Sequence, residues 1–373
     1  MAQRFNYGGQ AVLEGVMMRG SHRMAVAVRS PDKKIVLYEE SIDSPLYSGA
    51  LSRIPFVRGL GMLWDSLGLG TKALQFSAKV MAQVDPASPD AAGDAKKANG
   101  SGISTGTLVI MLVSMLRLVV VTPLLVAAGP ESTGSDKPAG GRKPAGADIA
   151  MAGTMLLSLA FAIGLFFVTP LLIADGLRSL ASGLAAANPS LAWLASPLTR
   201  NLVEGVIRLA IVIGYIWAIG RIPDIQRLFA YHGAEHKTIN AYEAGAALTP
   251  DEVAPYSLVH PRCGTGFLLV VMVVSILFFS LLGNPPVILR YLERIVLVPV
   301  IATVSYEYIR LTARHMDKAW VRALVSPQLA LQKLTTREPS PDMLEVSIMA
   351  LQHVLASEEL PIPVASAVPA DSR

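Results

Sequence analysis

Long apolar stretches separated by polar ones run through the middle of this chain, and the longest are of membrane-spanning size. A hydrocarbon core of roughly 30 Å is crossed by about 20 apolar residues in a helix. Three runs bounded by glycine, proline or charge each predict a span: Thr107–Ala128, Ile149–Ile173 and Gly266–Leu282. Two weaker segments, Leu202–Ile219 and Pro286–Tyr306, contain charged residues. Each of these is open to interpretation as a span, a tilted half-helix or an interfacial helix.

The first 44 residues carry short β-branched runs instead, which indicate a small β unit outside the membrane. Ala25–Val28 and Ile35–Tyr38 flank a short turn, a pattern typical of two strands. In the preceding segment, Gly8–Gly20, the glycines predict bends or close backbone approach. Its notable polar residues are Glu14 and Arg19, for which an ordinary ion pair on a solvated strand face is the simpler interpretation.

Helical periodicity marks two further segments. Apolar residues recur at helical spacing through Arg53–Val80, which predicts a helix lying on the membrane or, alternatively, packing on the β unit. Asp342–Ser357 is expected to form a capped amphipathic helix, and Asn188–Pro197 a short loop.

We therefore expect an α-helical polytopic membrane protein with four to five transmembrane helices, a small N-terminal β-containing cytoplasmic unit and a C-terminal cytoplasmic helix. Along the chain this gives a soluble unit with an amphipathic helix (1–84), a linker (85–105), a transmembrane domain (106–310), a cytoplasmic segment (311–357) and a disordered tail (358–373). A second linker is expected at 129–148, between the first two spans.

Basic residues predict the orientation, because Lys and Arg near span ends are retained in the cytoplasm. They are frequent before the first span and again after the last one, from Arg310 to Arg322. Both termini are therefore predicted to lie on the cytoplasmic side of the membrane. This requires an even number of crossings, and we expect Leu202–Ile219 not to cross because it contains Glu204 and Arg208.

Composition supports the membrane assignment and excludes an ordinary soluble enzyme. The 373 residues are 52% hydrophobic and 16% charged, with a mean hydropathy of +0.47. A single cysteine excludes an intrachain disulfide. The isoelectric point near 9.1 is explained by the basic flanks, so the lipid bilayer is the expected partner, and no nucleic-acid motif is present. Met1–Gln10 has no apolar core, so the first span is expected to direct insertion.

Candidate chemistry is concentrated in Tyr231–Lys237, which contains the pattern His-x-x-Glu-His. On a helix, His232 and His236 share one face and are spaced to bind one cation. Glu235, beside the second histidine, is placed to act as general base toward water on that metal. The competing interpretation is an interfacial helix whose histidines hydrogen-bond to neighbours, with Glu235 paired to Lys237 or Arg262.

Further metal ligands are available nearby. Glu243 continues the helical stripe of the two histidines, and His260 and Cys263 follow in His-Pro-Arg-Cys-Gly-Thr. Zinc accepts oxygen, nitrogen and sulfur donors of these kinds. We therefore predict a zinc site of His232 and His236 completed by one or two of Glu243, His260 and Cys263.

Five blocks together resemble the bacterial YqhQ-like family of membrane proteins. They are Gly8–Arg19, Tyr231–Lys237, His260–Thr265, Ser305–Glu307 and Leu334–Pro339, and they occur in the family's order over nearly the whole chain. The resemblance implies a multi-pass protein of the bacterial plasma (inner) membrane, of a class described as predicted metal-dependent enzymes, and it implies no particular reaction. A longer loop at 129–148 and an extra C-terminal tail distinguish this chain.

These observations favour a membrane-embedded, zinc-dependent hydrolase acting on lipid head groups or membrane-proximal peptide. Glu235 would be its base, and Arg262 or Lys237 would stabilise an oxyanion. A closed, structural metal site is a second interpretation, and a non-enzymatic membrane scaffold is a third. A cysteine nucleophile at Cys263 and a transporter are weaker alternatives. The role of Glu307, just past the last apolar segment, stays open.

Overall fold

The computed structural model describes residues 7–42, 57–82, 160–282 and 287–358. The predicted span Thr107–Ala128, both predicted linkers and residues 359–373 of the predicted tail lie outside these ranges. The chain divides into two compact units, one formed by residues 1–96 together with 215–373, and the other by residues 97–214.

The described part of the chain is mostly helical, and its first elements are four strands. The strands are β1 (Gly8–Val12), β2 (Gly15–Arg19), β3 (Arg23–Arg29) and β4 (Ile35–Ser41). The helices are α1 (Val57–Ala82), α2 (Thr169–Ala187), α3 (Pro197–Ile219), α4 (Pro223–Ala244), α5 (Pro250–Val253), α6 (Gly264–Leu281), α7 (Val287–Arg314), α8 (Ala319–Thr335) and α9 (Pro341–Ser357). A π-helical turn, Gly164–Val168, leads into α2, and a 3-10 helix, Pro189–Ala195, joins α2 to α3.

The strands form an antiparallel meander in the order β1-β2-β3-β4. The two predicted strands are β3 and β4, which pair with Val26 opposite Tyr38. The glycine-rich segment before them forms the β1–β2 hairpin, whose turn places Glu14 in the left-handed region at φ 52°. That conformation is uncommon for a residue with a side chain. The small N-terminal sheet is therefore confirmed, and it is twice as large as the sequence pattern indicated.

Both faces of this sheet are covered. Because side chains alternate along a strand, Val16 and Met18 pack with α4 and α9, whereas Met17 faces the opposite way. On that second face the sheet packs against Leu69 and Ala73 of α1. Of the two alternatives for the 53–80 segment, packing on the β unit is the one this structure supports.

Four described helices are long and apolar enough to cross a membrane: Ala160–Ala187, Pro197–Ile219, Gly264–Leu281 and Val296–Arg314. Their bounds correct the expected ones. The helix predicted to end at Ile173 continues to Ala187, and the last apolar window begins ten residues later than Pro286. A 3-10 helix replaces the loop expected at Asn188–Pro197, because Pro189 starts a helical turn in which the Asn188 side chain accepts the Ser190 N–H.

The segment at 202–219 belongs to a helix as apolar as its neighbour at 160–187, although it carries the ion pair of Glu204 and Arg208. Length and composition therefore place it among the candidate spans. The expectation that it does not cross stays a prediction, as does the orientation of the two termini.

Candidate metal centre

Helix α4 carries the His-x-x-Glu-His pattern in the interior of the first unit. It begins at Pro223, after an extended Ile222, and ends at Gly245, which adopts a left-handed φ of 78° as helix-terminating glycines do. Between Ala230 and Ile239 nearly every side chain is buried, because the sheet and α9 cover one side of the helix. Polar groups on this helix are thus held away from bulk water.

The segment after α8 runs along the other side of α4. The Arg337 N–H donates to the Phe229 carbonyl at 2.9 Å, and Lys237 pairs with Glu338. Gly233 allows this approach, since a Cβ there would overlap the Arg337 carbonyl oxygen. The Leu334–Pro339 block is therefore a brace for the histidine helix.

The predicted ligands that meet are His232, His236 and Cys263. One donor atom from each residue lies within 4.8 Å of the donor atoms of the other two. In the described ranges, this is the group of three side chains that could hold a metal ion. His232 Nε2 is 3.2 Å from Cys263 Sγ. Two ligands of a tetrahedral zinc with bonds of about 2.0–2.3 Å are separated by roughly 3.3–3.6 Å, so the pair is close to the spacing that zinc requires.

Backbone carbonyls orient both imidazoles. His232 Nδ1 is 2.8 Å from the Thr335 oxygen, and His236 Nδ1 is 2.6 Å from the Leu258 oxygen. A carbonyl only accepts, so each Nδ1 is the donor, and in a neutral imidazole the Nε2 atom then keeps its lone pair for a metal. Metal-binding histidines are commonly held in this way. His236 Nε2 is buried and has no hydrogen-bond partner among the described residues, as expected of a ligand atom.

Glu235 lies beside this group. Its Oε2 is 3.9 Å from His232 Nε2, and the Gly9 N–H donates to its carboxylate. Burial raises the pKa of Glu235 to about 7, against the opposing effects of His232 and of the Gly9 hydrogen bond. A carboxyl group with a pKa in this range suits proton transfer near neutrality.

Two other predicted ligands form a separate cluster with Arg262. Glu243 pairs with Arg262 and with His260, whose Nε2 is 3.6 Å from Glu243 Oε2. Burial lowers the pKa of His260 despite this carboxylate. Burial alone would raise the pKa of Glu243, but the hydrogen bond from His260 and the charge of Arg262 lower it. In this arrangement Glu243 and His260 are engaged with each other.

Lys237, a predicted oxyanion stabiliser, is committed elsewhere, since its ammonium contacts Glu338 and the Ala254 carbonyl. His315 hydrogen-bonds to the Leu311 carbonyl one turn earlier. Glu14 and Arg19 lie outside the group: Glu14 pairs with Arg227, and Arg19 contacts Ser66.

Sequence reasoning missed three positioning groups: Gly9, Thr335 and Gln332. Gln332 is fully buried and clamps His260, accepting its N–H and donating to its carbonyl, both at 2.9 Å. Gly9 and Thr335 lie in two of the recurrent blocks, Gly8–Arg19 and Leu334–Pro339. Their presence in those blocks could have marked Gly9 and Thr335 as functional residues. The spacing of the blocks along the chain, however, did not indicate that they contact α4.

Comparison with known proteins places the chain in a family. The family described as "Protein of unknown function (DUF1385)" matches residues 54–357. The uncharacterized protein YqhQ of Bacillus subtilis (strain 168) is 30% identical over 355 residues, covering 95% of this chain and 93% of that protein. No solved structure matches the chain. From the extent of both matches, this protein belongs to the DUF1385 family, as its resemblance to YqhQ-like proteins predicted.

Proposed function

We propose that this protein is a zinc-dependent hydrolase acting at the surface of the bacterial plasma membrane. His232, His236 and Cys263 would hold the metal. The observation that carries the proposal is the buried Nε2 of His236, which has no hydrogen-bond partner among the described residues and belongs to a residue grouped with the Cys263 thiol and the His232 imidazole. Nitrogen and sulfur donors of this kind are those zinc prefers.

Three protein ligands favour catalysis over a purely structural role, because catalytic zinc keeps one position open whereas structural zinc takes four protein ligands. Zinc bound here would supply Lewis acidity and lower the pKa of water. Glu235 is near the group without belonging to it, so its carboxylate is placed to accept a proton from water. The Gly9 N–H fixes the position of that carboxylate.

The location of Cys263 supports a substrate at the membrane surface. Cys263 immediately precedes α6, one of the helices apolar enough to cross a membrane. A metal bound to its sulfur would therefore sit at the polar end of a span, level with lipid head groups. Arg262, next to it, is a quarter exposed and pairs with Glu243; we propose that an anionic substrate group would compete with Glu243 for this guanidinium.

The first test is the metal content of detergent-purified protein. We expect near-stoichiometric zinc in the wild type and its loss in His232→Ala, His236→Ala and Cys263→Ser. Cobalt substitution then reports the open position: a thiolate-to-cobalt band should appear, and adding a hydroxamate should shift the visible bands. Wild-type protein purified without chelators and lacking metal would contradict the proposal.

Catalysis is tested with Glu235→Gln, which keeps the shape of the side chain. We expect this variant to retain zinc and to hydrolyse ester or amide substrates about 10²- to 10⁴-fold more slowly, the usual contribution of a general base. Equal activity in the two proteins would remove Glu235 from the mechanism.

A structural metal in a membrane scaffold is the second candidate, and the depth of the site favours it. Cys263 is 7% exposed and His236 1% exposed. In that case zinc would tie α4 to the start of α6. If hydroxamate leaves the visible bands of the cobalt protein unchanged and the protein unfolds when the metal is removed, the results support the scaffold and not the hydrolase.

A further inference from the structure

A second polar site lies in the other compact unit, between α2 and α3. A cavity of about 140 Å³ is lined there by Arg178, Thr199 and Arg200 and by apolar side chains including Leu177, Leu194 and Val203. Since one water occupies about 30 Å³ of liquid, this volume is large enough for a phosphate group.

The two arginines of this cavity differ in whether a carboxylate lies beside their guanidinium group. Arg200 is nearly buried; its Nε donates to Asp175 Oδ1 at 2.6 Å, and its Nη1 is 3.8 Å from Glu204 Oε2. Arg178 donates from Nε to the Ala195 carbonyl at 3.3 Å and pairs with no carboxylate in the described part of the chain. One guanidinium at the cavity wall therefore has nitrogens that are not committed to an acidic side chain.

The backbone adds to this positive character. Thr199 and Arg200 belong to the first turn of α3, which contains no acidic residue. The Thr199 N–H donates to Ser196 Oγ and the Arg200 N–H to the Ser196 carbonyl, so this turn contributes its dipole and not free N–H groups of these two residues. The N-terminus of a helix of this length carries a partial positive charge and favours anions. The cavity thus combines a guanidinium with a helix N-terminus.

The depth of the cavity follows from the candidate span Ala160–Ala187, whose last part is α2. Its 28 residues extend about 42 Å, which exceeds a hydrocarbon core of roughly 30 Å, so a crossing helix would put its last three turns, with Arg178, near the interface. Trp193, 61% exposed in the adjoining 3-10 helix, suits that level, where tryptophans are enriched. Ala174 and Val203, which also line the cavity, lie further along α2 and α3 from the connecting 3-10 helix and would provide its apolar wall toward the hydrocarbon.

We propose that this cavity binds the phosphate group of an anionic membrane phospholipid. Arg178 donates to the phosphate oxygens, the first turn of α3 faces the negative charge, and the apolar wall contacts the glycerol end of the acyl chains. This site is independent of the metal centre.

The test uses full-length protein in neutral detergent, with binding and melting temperature measured against phosphatidylglycerol, phosphatidylcholine and inorganic phosphate. We expect phosphatidylglycerol to bind and to raise the melting temperature more than phosphatidylcholine does. Arg178→Gln should weaken phosphatidylglycerol binding about tenfold, the loss of one charge-assisted contact. Arg314→Gln is the matched control, since it removes an exposed cation at the end of a different candidate span.

A second variant guards against misfolding of the first. Ala181→Phe fills the cavity but leaves every charge in place, and it should also abolish phosphatidylglycerol binding. If inorganic phosphate binds as tightly as phosphatidylglycerol, the cavity is a site for soluble phosphate. That result would contradict the proposal that its ligand is a phospholipid. Equal phosphatidylglycerol binding by the wild type and both cavity variants would overturn the site itself.

Discussion

His232 Nε2 lies 3.2 Å from Cys263 Sγ, although 31 residues separate the two in sequence. The contact joins the centre of α4 to the residue that precedes α6. Thr335, 103 residues from His232, fixes the orientation of the imidazole through its carbonyl. Three distant segments therefore have to fold together before these donor atoms meet.

His236 is expected to be indispensable for metal binding. His236→Ala removes a buried ring nitrogen that has no hydrogen-bond partner in the described ranges, so zinc should be lost. His315→Ala is the matched control, because the ring of that histidine hydrogen-bonds to the Leu311 carbonyl one turn earlier and lies outside the proposed ligand group. Elemental analysis of both variants checks this, and equal zinc in the two would place the metal elsewhere.

Gly9 is expected to position Glu235. A Cβ on Gly9 would lie 2.8 Å from Glu235 Cγ and 2.6 Å from the Met17 oxygen, so Gly9→Ala has to move one of them. We predict a lower melting temperature and, in the hydrolase assay, a loss of activity with zinc retained.

Gly8→Ala is the control for this change, since a Cβ at Gly8 meets nothing within 4 Å. Comparing the two variants separates the effect of the contact between residue 9 and Glu235 from the general effect of replacing a glycine in β1. Similar behaviour of the two alanine variants would argue against a positioning role for Gly9.

The Glu14–Arg227 pair is expected to hold the β1–β2 turn on α4. Both nitrogen–oxygen contacts of this fork are short, and the Tyr231 hydroxyl also donates to Glu14 at 3.3 Å. The hydrogen bond to Glu14 raises the pKa of Arg227. A double-mutant cycle with Glu14→Ala and Arg227→Ala should give a coupling of about 1 kcal/mol, because the pair is bidentate but partly exposed.

Additive effects in that cycle would show that the two side chains do not stabilise each other. Arg23→Ala with Glu39→Ala provides the comparison pair, because its separation of 3.9 Å on the sheet surface predicts a smaller coupling.

Asp342 is expected to make stability depend on acid pH. The Ser340 hydroxyl, in the first place, and the charges of Arg29 and Arg227 lower the pKa of Asp342 at the start of α9. Its contribution is therefore present at neutral pH and lost as the pH falls through the folded-state pKa. Asp342→Asn should cost about 0.5 kcal/mol at pH 7 and nothing once the wild-type carboxyl is protonated.

Melting temperatures from pH 7 downward, with Asp32→Asn as an exposed turn control, check this expectation. A difference between wild type and Asp342→Asn that is independent of pH would show that the side-chain shape matters and its charge does not.

The sequence by itself determined the local features of this protein. Apolar runs of span length coincide in part with the four candidate spans of the described ranges, because a helix in lipid needs a predominantly apolar surface. The spacing of His232 and His236 put two imidazoles on one helical face, because that depends only on 3.6 residues per turn. The strand pair at Ala25–Val28 and Ile35–Tyr38 was likewise predicted from the two apolar runs and the short turn between them.

Tertiary structure decided which residues complete the site. By sequence, Glu243, His260 and Cys263 were equivalent candidates, since each is close to α4 along the chain. Only the packed loop shows that Arg262 draws Glu243 and His260 into an ion-pair cluster, leaving Cys263 beside the histidines. Long-range contacts such as Gly9 with Glu235 depend on how the sheet is seated on α4, and no local pattern of residues encodes that.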